Sequence, residues 1–434
     1  MTDDDTAMAV ARRAAQASLE QLTRNLGPTE RAALAREHKA FQRARALPNA
    51  DVLLLLMLFY THANFSLRVT AWFACVGLGL HVSAESLGDR FRNCGPWLRA
   101  LLLHQLAHTA RVAVPLRTRL RIADGSVRCR DGATGTDRRV HILYEPGASV
   151  PTGVEVTDEH GAEGLNQGSL AAHTVVLADR NDGRYREVQT ARERKVDLLA
   201  RTHLQTQPLR DAAGIARNAS WWTDAADRGV LDHAVAVTRG DDPPLAARLI
   251  VVPLPPEAAG RARQKVRKAA TKKGKQPDPL AMHLAGYLCL LTTLAADVLS
   301  VAEACALYRI RWQVECFLKR AKSVAGLDVI RGGDALVDAQ IWARLLCLCD
   351  QEARRPHEGS LRPKNTDRTG RPPALWRWLQ VMRLVWVAPF AMLASLRLKL
   401  VPTKVQDQLL RERPRARGVR DVGDMFAFLT PVGA

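Results

Sequence analysis

The stretch Ser300–Gly326, SVAEACALYRIRWQVECFLKRAKSVAG, is the most informative in this chain. Ser300 with Glu303 forms a capping box and Gly326 is a left-handed stop, so the spacing predicts one helix between them. Tyr308, Arg311, Glu315, Lys319 and Lys322 recur at intervals of 3, 4, 4 and 3 residues. At about 100° per residue they share a stripe of roughly 80°. Leu307, Ile310, Val314, Phe317, Leu318 and Ala321 take a separate arc that can face a core. One reading of the charged stripe is a solvated face laced with ion pairs, Arg311 to Glu315 and Glu315 to Lys319. The other is an acid that binds a metal beside residues that grip phosphate.

The wording of the segment favours the second reading. Tyr308-x2-Arg311-x3-Glu315-x6-Lys322, with Trp312 after the arginine, Phe317 two past the glutamate and Ser323 after the lysine, resembles the Y-R-E-K signature of the IS-four (insertion-sequence) family of DDE transposases. The resemblance implies a ribonuclease-H-like sheet with two upstream aspartates at strand ends. The first candidate is Asp124 in LRTRLRIADGSV, where Leu116, Thr118, Leu120 and Ile122 alternate with arginines in strand fashion. Asp124-Gly125-Ser126 is then expected to turn the chain. The second is Asp179 in HTVVLADRNDG, at the end of the apolar run Val175 to Ala178, which suits a strand buried on both faces. Each aspartate alone also reads as turn punctuation. Both in order, ahead of the helix signature, resemble the family's catalytic pair.

By the resemblance, Asp124, Asp179 and Glu315 are the catalytic residues and hold Mg2+, with Mn2+ as a substitute. Magnesium prefers hard oxygen ligands, and a metal pair about 3.5–4 Å apart can hold the attacking and leaving oxygens of a phosphodiester. Tyr308, Arg311 and Lys322 match the positions that in the family hold the terminal phosphates of the transposon end. Lys319 is a weaker phosphate contact on the same stripe, and Arg180 and Arg201 resemble family positions beside the site. The implied partners are double-stranded DNA, as element ends and as target, and a second copy of the chain in a synaptic homodimer. Two other readings share many of these residues: a DNA-binding protein descended from a transposase but without catalysis, and a metal-dependent nuclease without strand transfer.

Composition agrees. The 434 residues include 63 Lys plus Arg against 44 Asp plus Glu, a formal net charge of +19, and excess cations favour a polyanionic partner. The densest run, from Gly260 to Lys275, contains no acid, and a second spans Arg411 to Arg417. Such runs are solvated segments or DNA contacts. No stretch reads as a membrane-spanning helix, since the apolar Val52–Tyr60 is too short. The acidic opening Thr2-Asp3-Asp4-Asp5 is unlike a signal peptide. Eight scattered cysteines without a CxxC pair fit a reducing cytoplasm, and the expected location is cytoplasmic, associated with the nucleoid.

The fold expected is α/β: a ribonuclease-H-like catalytic core with a mainly β insertion between the fifth strand and the catalytic helix, flanked by helical regions. Residues 1–112 read as a helical, DNA-binding N-terminal region. Two helices there, around Asn93-Cys94-Gly95-Pro96 with a serine cap at Ser83 or Ser86, suit either a helix-turn-helix or a plain bundle. Residues 113–202 form the first part of the core, with strands at 116–123, 139–144, 153–157, 174–179 and 195–201 and a helix at 184–193. Residues 203–286 are the insertion, which holds Trp221-Trp222 as its own core or as a base-stacking pair. Residues 287–332 return to the core, and 333–434 form a helical C-terminal region and basic tail.

Overall fold

The computed structural model describes residues 13, 16–63, 66–109, 119–128, 137–146, 150–161, 164–165, 170–179, 183–330 and 332–353. Residues 354–434 of the expected helical C-terminal region, with the Arg411–Arg417 run, and Arg180 therefore lie outside the described residues. Helices α1 (Pro28–Glu37), α2 (Ala50–Ala63), α3 (Leu67–Leu78), α4 (Ala84–Arg92) and α5 (Gly95–Thr109) come first. Next are β1 (Arg119–Arg128), β2 (Arg138–Glu145), β3 (Val150–Asp158), β4 (Thr174–Ala178), α6 (Tyr185–Glu193) and β5 (Asp197–Arg201). Residues 203–286 hold β6 (Leu209–Arg210), β7 (Ala216–Arg217), α7 (Ala219–Asp227), β8 (Leu231–Val237), β9 (Leu245–Pro253), α8 (Pro256–Lys272) and α9 (Pro279–Leu284). Strand β10 (Tyr287–Thr292) then leads to α10 (Val301–Ile310), α11 (Trp312–Ser323) and α12 (Asp334–Ala353).

The strands form one sheet in the order β3-β2-β1-β4-β5-β10-β9-β8-β6-β7. β1, β2 and β3 are an antiparallel meander, while β1, β4 and β5 run parallel. That is the ribonuclease-H-like arrangement, with α6 as the crossover from β4 to β5. β10 lies antiparallel between β5 and β9, so the inserted strands extend the same sheet. The insertion also supplies three helices. The run from Gly260, read from sequence as a solvated segment or a DNA contact, is mostly helix α8: proline sits in its first turn, and alanine, lysine and arginine are strong helix formers.

Side-chain alternation builds a core on each face of the sheet. Val175, Leu177, Leu199, Ile250 and Leu290 pack on one face with α10, α11, α12 and the N-terminal helices. Their sequence neighbours Val176, Ala178, Leu198, Ala200, Leu249, Val251 and Leu291 pack on the other with α6 and α7. β4 is buried at all five residues, which explains its unbroken apolar sequence. Trp222 is fully buried in the second core, with Trp221 edge-on to it at 4.7 Å between ring centroids. The pair thus serves as packing for the insertion, as one of its two readings had it.

The helix expected over Ser300–Gly326 is two helices that meet at Arg311. Its ends are as expected: Ser300 and Glu303 form the capping box, and Gly326 has φ +78°. The six apolar residues of the buried arc are all in the core. At Arg311 the backbone keeps right-handed dihedrals but changes to i to i+3 hydrogen bonds, from Arg311 N–H to the Tyr308 carbonyl and from Val314 N–H to the Arg311 carbonyl. Periodicity cannot reveal so local a tightening, because it leaves the faces almost unchanged.

α12 is buried along nearly its whole length, between α5 on one side and α11 on the other. Its Arg344 is fully buried and donates to the carbonyls of Ala325, Gly326 and Thr61, tying the stop after α11 to the N-terminal helices. Ser83 caps α4 by accepting from the Ser86 N–H, and α4 and α5 bury Phe91, Trp97 and Leu98 in the shared core. This packing is that of a helical bundle seated on the sheet. Among the described residues, no helix is long and apolar enough to cross a membrane, and the seven cysteines are thiols rather than disulfide halves.

Candidate active site

Asp124 does not end its strand. The Asp-Gly-Ser turn expected there is absent, because β1 runs on to Arg128 and pairs Asp124 with Ile142 of β2. The hairpin partnership outweighs the local turn preference. The position still suits a site by simple parity. Leu120 and Ile122 face the core beneath α10 and α11, so Asp124 points to that same face. Val175 and Leu177 face it too, and Asp179 follows two residues later. Since Ile122 pairs with Leu177 in parallel register, both aspartates lie two residues beyond a matched pair, on one face of adjacent strands.

Over that face sits the junction of α10 and α11. The Arg311 guanidinium contacts Asp124 Oδ2 through Nη1 at 3.2 Å and Asp179 Oδ1 through Nη2 at 3.7 Å. Nη2 also pairs with Glu315 Oε1, one turn along the helix. Three acidic side chains from β1, the end of β4 and α11 thus gather round one arginine. The side chains of Asp124 and Arg311 are only 18% and 12% exposed, against 48% for Asp179 and 36% for Glu315. Gly125 N–H donates to Asp124 Oδ1 at 2.8 Å.

Electrostatics follow from this crowding. Burial raises the Asp124 carboxyl to about 6, although Arg311 and the Gly125 hydrogen bond pull it down; Asp179 and Glu315 add to the rise. For Arg311 burial opposes the charge, but Tyr308 and the three carboxylates more than compensate and raise its pKa. The Tyr308 phenol is raised chiefly by burial, and its ring lies 5.8 Å from the Arg311 guanidinium carbon. The Arg201 charge reaches Tyr308 from the end of β5.

The structure therefore brings together Asp124, Asp179, Glu315, Arg311 and Tyr308, with Arg201 close by. Lys319 is exposed and Lys322 half-buried further along α11, and neither forms an ion pair among the described residues. The expected Glu315–Lys319 pair is absent, while Arg311–Glu315 is formed. Sequence reasoning missed the part Arg311 plays among the carboxylates. It also missed Gly183, where a Cβ would collide with the Arg201 carbonyl; Thr202 Oγ1 donates to the Gly183 carbonyl at 2.9 Å. That close approach seats Gly183 against the end of β5. The glycine that ends the HTVVLADRNDG stretch was the available signal.

Among the described residues, no group of three acidic, histidine or cysteine side chains forms a metal-holding cluster, since the carboxylates gather on Arg311 instead. The donor set nevertheless suits a hard divalent cation. All its donors are carboxylate oxygens, one of them buried at a cost to its charged form, and three carboxylates face one guanidinium.

Comparison with known proteins fits this geometry. Residues 117–349 match the family model described as the transposase DDE domain. The putative transposase InsL for insertion sequence element IS186A of Escherichia coli (strain K12) is 31% identical over 328 residues, 74% of this chain and 88% of that protein. The transposase for insertion sequence element IS421 of Escherichia coli is 31% identical over 329 residues, with the same coverage. A solved piggyBac transposase synaptic complex with hairpin DNA has a TM-score of 0.41 at 8% identity, covering 90% of this chain and 83% of that one, too distant to bear on the site. With a family match spanning more than half its length and relatives aligned along three quarters of it, the chain belongs to the DDE transposases.

Proposed function

We propose that this transposase is of the IS-four type and cuts phosphodiester bonds at the ends of an insertion sequence, then joins the freed 3′ hydroxyls to target DNA. The observation that carries the reading is the convergence of Asp124, Asp179 and Glu315, from three separate elements, on one guanidinium. These three carboxylates would hold Mg2+, or Mn2+ in its place. When bound, the cations supply Lewis-acid activation of the attacking and leaving oxygens.

The rest of the site binds and orients. Arg311 offers a planar fork for a phosphate, Tyr308 a hydrogen-bonding tip, and Lys322 and the exposed Lys319 mobile charges further along the helix. Arg201 adds a cation at the rim, and Arg180, next to Asp179 in sequence, is a further candidate for phosphate. The burial of Asp124 keeps bulk water from that side of the site and strengthens its interaction with a bound cation. Arg311 balances the carboxylates in the protein alone, and its guanidinium would be available to phosphate where bound cations supplied that balance. The partner is double-stranded DNA, engaged by a homodimer with help from the N-terminal helices, in the nucleoid.

The test is incubation with DNA carrying the element's own terminal repeats, with and without Mg2+, followed by mapping of nicks and joined products. Magnesium-dependent nicks at the ends together with joined products are expected. Nicks without joining would favour a nuclease, and end binding without nicks a silent DNA-binding descendant.

A further inference from the structure

Residues 261–275 carry eight cations, Arg261, Arg263, Lys265, Arg267, Lys268, Lys272, Lys273 and Lys275, and no acid. All eight are exposed. Lys265, Arg267, Lys268, Lys272, Lys273 and Lys275 have no acidic partner among the described residues. α8 arranges part of this charge in a line. Arg261, Lys265, Lys268 and Lys272 follow at intervals of 4, 3 and 4 residues. At about 100° and 1.5 Å per residue they form a stripe roughly 60° wide and about 16 Å long.

The adjoining arc holds Ala258, Ala262, Val266 and Ala269 and forms one wall of a cleft of about 730 Å³. α9 and β10 contribute further walls, and Arg201 with its successor Thr202 lines the cleft from the end of β5. Arg261 and Lys265 stand at this cleft as well as on the stripe. Arg201, whose charge reaches Tyr308, thus shares the cleft with Arg261 and Lys265 at the start of the α8 stripe.

We propose that this edge of α8 is a track for the phosphate backbone of duplex DNA, which it grips beyond the bond being cut. The inference rests on the reading of the centre as a DNA-cutting site, but it concerns a separate surface that needs neither metal nor cleavage. An acidic protein surface would match the sign of the charge. A narrow line of four evenly spaced cations that starts at the cleft shared with Arg201 matches a linear polyanion better. The contact is independent of base sequence, because phosphate contacts position DNA without reading it.

The experiment measures binding of the full chain to a random-sequence duplex of about 30 base pairs, roughly three turns, without divalent cation and across a salt series. Replacing Arg261, Lys265, Lys268 and Lys272 together by glutamine should lower the slope of log affinity against log salt by about 3 to 4. Arginine in place of the three lysines should keep the parent slope. An unchanged slope in the glutamine variant would overturn the proposal. A second measurement uses the parent protein alone: saturating duplex should protect Lys265, Lys268 and Lys272 from acetylation, and full reactivity of all three in the complex would overturn it equally. Glu315→Gln, run beside them, should keep the parent slope while losing cleavage. Cleavage that survives in that variant counts against the reading of the centre and leaves the α8 result intact.

Discussion

At the acidic centre, three carboxylates share one guanidinium inside the fold, whereas residues 261–275 expose eight cations with no acid among them. Both regions crowd like charges, and the difference lies in solvent. Around Asp124 there is little water to screen a charge, so the fold must supply a counter-charge, and Arg311 does so. On α8 water and salt screen the cations, so the helix tolerates them without internal partners. A buried cluster therefore reports its needs in its own geometry. An exposed one reports only the sign and spacing of what it can bind.

Glu315→Gln probes this contrast most severely. It should lower cleavage by more than the roughly ten- to hundredfold that outer-shell partners of a metal cost, while binding of end DNA stays close to the parent's. Undiminished cutting would remove Glu315 from the metal site. Arg311→Ala comes next. Deleting the common partner of three carboxylates should destabilise the fold by about 3 kcal/mol and lower the salt slope of end binding by about one. Magnesium should then raise the melting temperature of the variant more than that of the parent. Equal melting curves, with and without magnesium, would mean that Arg311 does not balance the centre.

The pH dependence of stability sharpens the same point. Asp124 titrates near 6 in the folded chain, above its ordinary 3.8, so the folded state holds this proton more tightly than the unfolded state. The stability it contributes is complete below about pH 3.8 and is lost as pH rises through about 6. The loss amounts to at most about 3 kcal/mol. Glu187, also raised chiefly by burial, works in the same direction, so the useful quantity is the difference between the parent and Asp124→Asn. Chemical unfolding at pH 4 and pH 8 should show a smaller fall in the variant, and identical falls would reject the assignment. The smallest effect belongs to the exposed helix: Lys268→Gln should change unfolding free energy by less than about 0.5 kcal/mol yet lower the salt slope by about 0.9. A stability change without a slope change would reverse the comparison between the two regions.

Much of this was legible in the chain itself. Capping residues and 3.6-residue spacing located the ends and buried arc of the α10–α11 segment, and the apolar run before Asp179 announced a strand buried on both faces. These signals are local, set by backbone hydrogen bonding and side-chain periodicity, so a linear reading captures them. The residue types of the acidic centre were legible for a similar reason, since they stand at fixed offsets in recognisable segments.

What only the tertiary structure decided depends on contacts between distant segments. β1 continues through Asp124 because β2 offers it hydrogen bonds, which no property of Asp-Gly-Ser announces. Arg311 lies among the carboxylates because two parallel strands and a helix junction meet there. α8 runs beside the cleft at Arg201 because the inserted strands extend the central sheet, so a basic run about sixty residues further along the chain comes to stand beside the end of β5. Sequence determined which groups carry charge and how each element spaces them; the fold decided which of those charges would have to answer one another.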